Sequence, residues 1–179
     1  TITAGFQDRE GLYWFGATGD ISCYSGEVWT TYTTADGRAH NDISAVARDR
    51  AGVYWFGTPE GVSRYDGRRW TTVTRADGLA SNLVSSIIVD RQGAVWAGTN
   101  GGVSRYDGRR WTSFNTTHGL IDNGVRTVYQ DRAGDLWFGA NGGVSRYNGG
   151  TWTSITPKDG LVGIGVNAIV EDRSGQFWF

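Results

Sequence analysis

The side chains with the widest chemical reach are few: two histidines, His40 and His118, and one cysteine, Cys23, in 179 residues. A Cys–His couple needs nucleophile and base together, and a metal site needs several His, Cys or carboxylate ligands converging. The two histidines occupy non-equivalent offsets of an internal repeat, His40 aligning with Ser81 and Asp122, and His118 with Asp77 and Asp159. That scatter makes neither a metal set nor a Cys–His couple. The aspartates are more regular. Asp8, Asp49, Asp90, Asp131 and Asp172 each open an Asp-Arg-x-Gly phrase, spaced 41 residues apart. Carboxylates at such turns are expected to cap their own hairpins rather than pair as general acid and base. The Asp-Gly turns also lack the spaced carboxylates of a calcium loop. No catalytic residue, metal or cofactor is expected.

The elements that carry these residues repeat with them. One tryptophan ladder runs Trp14, Trp55, Trp96, Trp137 and Trp178, a second runs Trp29, Trp70, Trp111 and Trp152, and together they hold all nine tryptophans. Within one period, alternation and turn chemistry place four short strands at 43–49, 53–58, 62–65 and 70–74, called A to D in chain order. Glycines supply the turns between them. In strand A, Ile43/Val84/Val125/Val166 and Val46/Ile87/Val128/Ile169 recur three apart. Regular alternation puts them on opposite faces, as expected of an innermost strand buried on both. A four-stranded repeat of about 40 residues cannot bury its sheet alone, so repeats are expected to stack around an axis. The predicted fold is all-β: a β-propeller of four-stranded antiparallel blades over 1–179, with repeats at about 2–42, 43–83, 84–124, 125–165 and a partial 166–179. The first repeat departs from the others, reading Asp20-Ile21-Ser22-Cys23-Tyr24 where they read Gly-Val-Ser-Arg-Tyr.

Loops alternate between the two rims of such a ring. The A–B and C–D turns are nearly identical between repeats, whereas the D–A loops vary, and variation on a fixed scaffold is where binding specificity is usually placed. The candidate ligand-binding residues are therefore Asp42, Asn82, Asn123 and Asn167 at the starts of strand A, with Glu60, Asn100 and Asn141 in the B–C turns. The competing reading is that Asn and Asp merely suit turns. Tryptophans returning at one offset in every unit are expected to pack between sheets rather than stack on sugars. Arg64, Arg105 and Arg146 are expected to pair with turn carboxylates or carbonyls between blades.

A net charge of −1 gives no footprint for nucleic acid or an anionic membrane, and no apolar run is long enough to span one. One cysteine forms no internal disulfide. With no methionine and no signal peptide, the chain reads as an excised or processed segment. Four blades in an open arc would expose an aromatic face at each end. Two expectations follow: self-association, with a dimer closing an eight-bladed ring, or a longer parent that supplies the missing blades.

The phrases Asp90-Arg91-Gln92-Gly93-Ala94-Val95-Trp96-Ala97-Gly98-Thr99 and Gly101-Gly102-Val103-Ser104-Arg105-Tyr106-Asp107-Gly108, then Trp111-Thr112, Gly119-Leu120 and Asn123-x-Val125, resemble the two-component regulator propeller repeat. The Trp-Asp ending and Gly-His opening of WD-repeat blades are lacking. The resemblance implies a non-catalytic, extracytoplasmic sensor of bacterial hybrid two-component systems, binding a small molecule or oligosaccharide. A structural or protein-interaction propeller is the alternative. A propeller lyase would need a His and carboxylate cluster holding a divalent metal on one rim, which the sequence does not supply.

Overall fold

The computed structural model describes residues 2–17 and 20–179; Thr1, where the sequence repeat opens, lies outside them. Four antiparallel four-stranded sheets follow one another along the chain. They comprise β1 (Ile2–Gln7), β2 (Tyr13–Ala17), β3 (Ile21–Tyr24) and β4 (Trp29–Tyr32); β5 (Ala45–Arg48), β6 (Tyr54–Thr58), β7 (Gly61–Tyr65) and β8 (Trp70–Val73); β9 (Val84–Val89), β10 (Val95–Thr99), β11 (Gly102–Tyr106) and β12 (Trp111–Phe114); and β13 (Val125–Gln130), β14 (Leu136–Ala140), β15 (Gly143–Tyr147) and β16 (Trp152–Ile155). A two-stranded remnant, β17 (Val170–Glu171) with β18 (Phe177–Trp178), begins a fifth. The result is four full propeller blades and part of a fifth. Each blade is a simple meander, with strand order equal to chain order. The first strands β1, β5, β9 and β13 run beside one another and form the inner wall.

The hydrophobic cores lie between blades rather than within them. Trp55 of blade 2, for example, packs on Tyr106 and Trp111 of blade 3, and Trp96 of blade 3 on Phe138 and Tyr147 of blade 4. Burial of a tryptophan stabilises by roughly 3 kcal/mol, and the strand-B tryptophan repeats that contribution at each junction. Close approach of the blades depends on one glycine per strand B. A Cβ on Gly98 would stand 2.9 Å from Val125 Cγ1 and 3.1 Å from Val128 Cγ2 of the next blade.

That contact also corrects the two-faced reading of strand A. The pairing of β9 with β10 steps from Val84↔Thr99 to Ser86↔Gly98, so Ser85 is an extra residue, a β-bulge, and β13 has the same step at Arg126. The bulge absorbs one position of the alternation. Val84 and Ile87, like Val125 and Val128, therefore lie on the same face, against the preceding blade. Simple period-two counting could not have shown this.

Neither rim is left to chance. Each D–A loop begins with a single 3-10 turn, at Thr34–Asp36, Arg75–Asp77, Thr116–His118 and Pro157–Asp159, closed by a reciprocal capping box and ended by a left-handed glycine. The buried strand-C serines then pin the loops: Ala39, Ala80 and Ile121 N–H groups donate to Ser63, Ser104 and Ser145 Oγ at 2.8–2.9 Å. The D–A loops thus vary in sequence around one shared backbone turn.

Candidate functional site

The aspartates of the A–B turns are structural. Asp90 Oδ1 accepts the Ala94 N–H and its Oδ2 accepts Trp96 Nε1–H, both at 2.8 Å. The same bond joins Trp55 to Asp49, Trp137 to Asp131 and Trp178 to Asp172. The hydrogen bonds from Ser174, Gln176 and Trp178 hold Asp172 down to about 2. The strand-C arginines act within their blades, not between them as expected. Arg64, Arg105 and Arg146 lie over Trp55, Trp96 and Trp137 of the same sheet, and Arg146 also pairs with Asp135.

On this same rim, further arginines lean on the next turn: Arg50, Arg91 and Arg132 donate to the carbonyls of Arg91, Arg132 and Arg173. A cleft of about 520 Å³ opens here between the turns of blades 1 to 3, lined by Asp8, Arg48, Arg50 and Arg91 among others. Several of its polar groups are engaged with one another. Arg48 pairs with Asp8 at 3.2 Å and Glu10 at 3.0 Å, and Tyr54 O–H donates to Asp8. Burial alone would raise the Asp8 pKa, but the bonds from Tyr54, Leu12 and Glu10 and the charge of Arg48 bring it below the ordinary carboxylate value. With Asp8 so occupied, Trp14 Nε1 is left without a partner.

The opposite rim carries the residues expected from the sequence. Asn82 and Asn123 are equivalent, and both spend their carbonyl oxygens locally: Asn82 Oδ1 accepts the Arg75 N–H at 2.8 Å, and Asn123 Oδ1 accepts the Thr116 N–H at 2.9 Å. Asp42 donates its N–H to His40 Nδ1 at 3.0 Å and has its carboxylate 4.0 Å from the same atom. Glu60 and Asn100 are exposed and held by their backbones, through Thr58 Oγ1 and the Leu83 carbonyl. Asn141 and Asn167 are brought together by a residue sequence reasoning passed over. Arg126 donates from one terminal nitrogen to Asn167 Oδ1 at 2.7 Å and from the other to Asn141 Oδ1 at 2.6 Å. Its signal was present as a break in the repeat, Thr3, Ser44 and Ser85 being followed by arginine. The seven candidates therefore do not converge on one point; Arg126, Asn141 and Asn167 do, with Asp122 beside Asn141 across Gly124.

This arrangement offers polar recognition. His40 and His118 sit in different loops, His118 Nδ1 contacting Asn115. Burial, with the charge of Asp8, pushes the Cys23 thiol up, away from the reactive thiolate. Among the described residues no group of three His, Cys, Asp or Glu side chains is placed to hold a metal.

The family model described as two component regulator propeller matches residues 37–60, 78–101 and 119–142. The three matches start 41 residues apart, and each runs from the left-handed glycine of a D–A loop into the B–C turn. These three stretches match the two-component regulator propeller repeat. Among solved structures, the chain superposes on the extracellular domain of the hybrid two component system BT3049 from B. thetaiotaomicron, with 19% identity and a TM-score of 0.89 over 98% of this chain and 26% of that one. The extracellular domain of BT4673 from the same organism gives 20% identity and a TM-score of 0.80, over 99% of this chain and 28% of that one. Virginiamycin B lyase from Staphylococcus aureus shares the fold at 17% identity and a TM-score of 0.75, over 99% of this chain and 62% of the lyase. The chain thus spans about a quarter of the two extracellular domains it resembles. No curated protein sequence matches it.

Proposed function

We propose that this chain is the ligand-binding part of a sensor, working outside the cytoplasm without a catalytic step and recognising a carbohydrate or another polar small molecule. The observation that carries the reading is the contrast between the rims. On the A–B rim the turn carboxylates are consumed by tryptophan, tyrosine and backbone donors. On the D–A rim, side chains that differ from repeat to repeat stand on a turn that does not. Similarity to extracellular domains of two-component systems supports the location and the signalling role. The test is retention of a panel of neutral and acidic oligosaccharides on the immobilised protein. Binding is expected, and N141A combined with N167A is expected to weaken it by about tenfold, the worth of one or two hydrogen bonds. Binding that survives both substitutions would remove this site.

A second reading, an interaction propeller that self-associates, is favoured by the ends of the arc. Trp29 is 57% exposed where its equivalent Trp70 is 8%, and Trp178 is 59% exposed where Trp14 is 2%. Blade 1 shows the surface that receives a neighbour's tryptophan, and the partial fifth blade shows that tryptophan. The two faces are the halves of one heterologous contact, which a second copy or the further blades of a longer protein would complete.

A further inference from the structure

The geometry points to a carboxylate-binding subsite at Arg126, on the inner wall where it meets the D–A rim; this rests on the sensor reading and names the chemistry of its ligand. Along the inner wall the Ser85 position of the repeat performs one task in three blades. Thr3, Ser44 and Ser85 hydroxyls donate to the carbonyls of Ile43, Val84 and Val125, the first apolar residue of the following blade. This hydroxyl ladder needs only a short side chain. In blade 4 the ladder stops, and its place is taken by an exposed arginine. A long cation is not required for blade packing there, since the three preceding junctions manage without one.

Of the arginines that serve the fold, Arg48, Arg64, Arg132 and Arg146 each lie beside a carboxylate. Arg50 and Arg91, which donate to backbone carbonyls, and Arg105, which lies over Trp96, form no ion pair among the described residues. Arg126 is gripped by two neutral amide oxygens, one on each terminal nitrogen, and among the described residues it forms no ion pair. The amides fix the plane of the fork without cancelling its charge. Each terminal nitrogen keeps a second N–H, and the Nε–H remains, so a carboxylate can be met in the charge-assisted manner to which guanidinium is suited. Asn141 and Asn167 meet the fork with their oxygens, which leaves their amide N–H groups to serve hydroxyls. A sugar acid presents this combination, carboxylate beside hydroxyls; a simple carboxylic acid presents only the first part.

Proton–nitrogen spectra of the Arg Nε–H and Asn amide groups, titrated with glucuronate, glucose and acetate, test the assignment in the wild-type chain, R126S and R126K. Arg126→Ser restores the residue type of the ladder, so its melting temperature is expected to be unchanged or raised, which separates loss of binding from loss of fold. Glucuronate is expected to shift the Arg126, Asn141 and Asn167 signals and to bind on the order of tenfold more tightly than glucose. R126S should erase that margin, and R126K, which keeps the charge but not the fork, should keep part of it. Acetate equal to glucuronate would support the carboxylate site with a simple acid as its source. Glucose equal to glucuronate at this rim, or glucuronate binding unchanged in R126S, would overturn the subsite and leave the polar-ligand sensor standing. No response to any of the three would overturn the subsite too, and the oligosaccharide panel then decides the sensor reading separately.

Discussion

At the scale of single residues, the first blade shows how one local substitution redirects a network. Blades 2 to 5 spend their turn aspartate on the strand-B tryptophan, whereas Asp8 is taken by Tyr54 and Arg48 of the next blade and Trp14 goes unpartnered. The consequence is a pH dependence at the junction of blades 1 and 2. The Asp8 pKa is lower in the folded chain than its ordinary 3.8. Its ionised form thus contributes stability that is fully present above about pH 4 and is lost as the pH falls through the depressed folded value. Hydrogen exchange in β1 and β2 should accelerate over that acid window before exchange in β9 and β10 does. In Asp8→Asn the difference should disappear; equal acid sensitivity of all blades in the wild type would contradict the assignment.

At the scale of elements, the bulge in strand A and the glycine in strand B form one device. Both place the first apolar residue of a blade against the backbone of the blade before it. Gly98→Ala puts a Cβ 2.9 Å from Val125 and 3.1 Å from Val128, at a position whose backbone any residue can adopt, so the cost is that of overpacking, about 1–3 kcal/mol. Urea unfolding measures it, and an unchanged midpoint would show that the blades are not held as described. The strands themselves were legible from the sequence because turn glycines and tryptophans mark their ends in every repeat. The bulge was not, since a register step belongs to a pair of strands and leaves no mark on one. The same distinction applies to the site. Asn141 and Asn167 were named from the loops they occupy, but Arg126 could be seen only as a broken pattern, because its contacts lie between blades. The local roles of Asn82 and Asn123 were equally hidden, an asparagine that steadies a turn and one that faces a ligand being the same letter.

At the scale of the whole molecule, the blades are interchangeable in the middle and unequal at the ends. The exposed aromatic faces of blade 1 and of the partial fifth blade are the two halves of the contact that buries Trp55, Trp96 and Trp137 elsewhere. Light scattering behind a sizing column separates the two readings of these faces: twice the 19.5 kDa of one chain supports two arcs meeting head to tail, and a single-chain mass at high concentration supports a longer protein whose further blades cover them. The functional claim is that recognition belongs to the D–A rim and that the A–B rim is scaffold. It is tested most directly by mapping amide shifts for an oligosaccharide that the protein retains. The account predicts perturbation around Gly124–Arg126, Asn141 and Gly165–Asn167, with the Asp-Arg-x-Gly turns unmoved; shifts concentrated at Asp49–Gly52 and Asp90–Gly93 instead would contradict it.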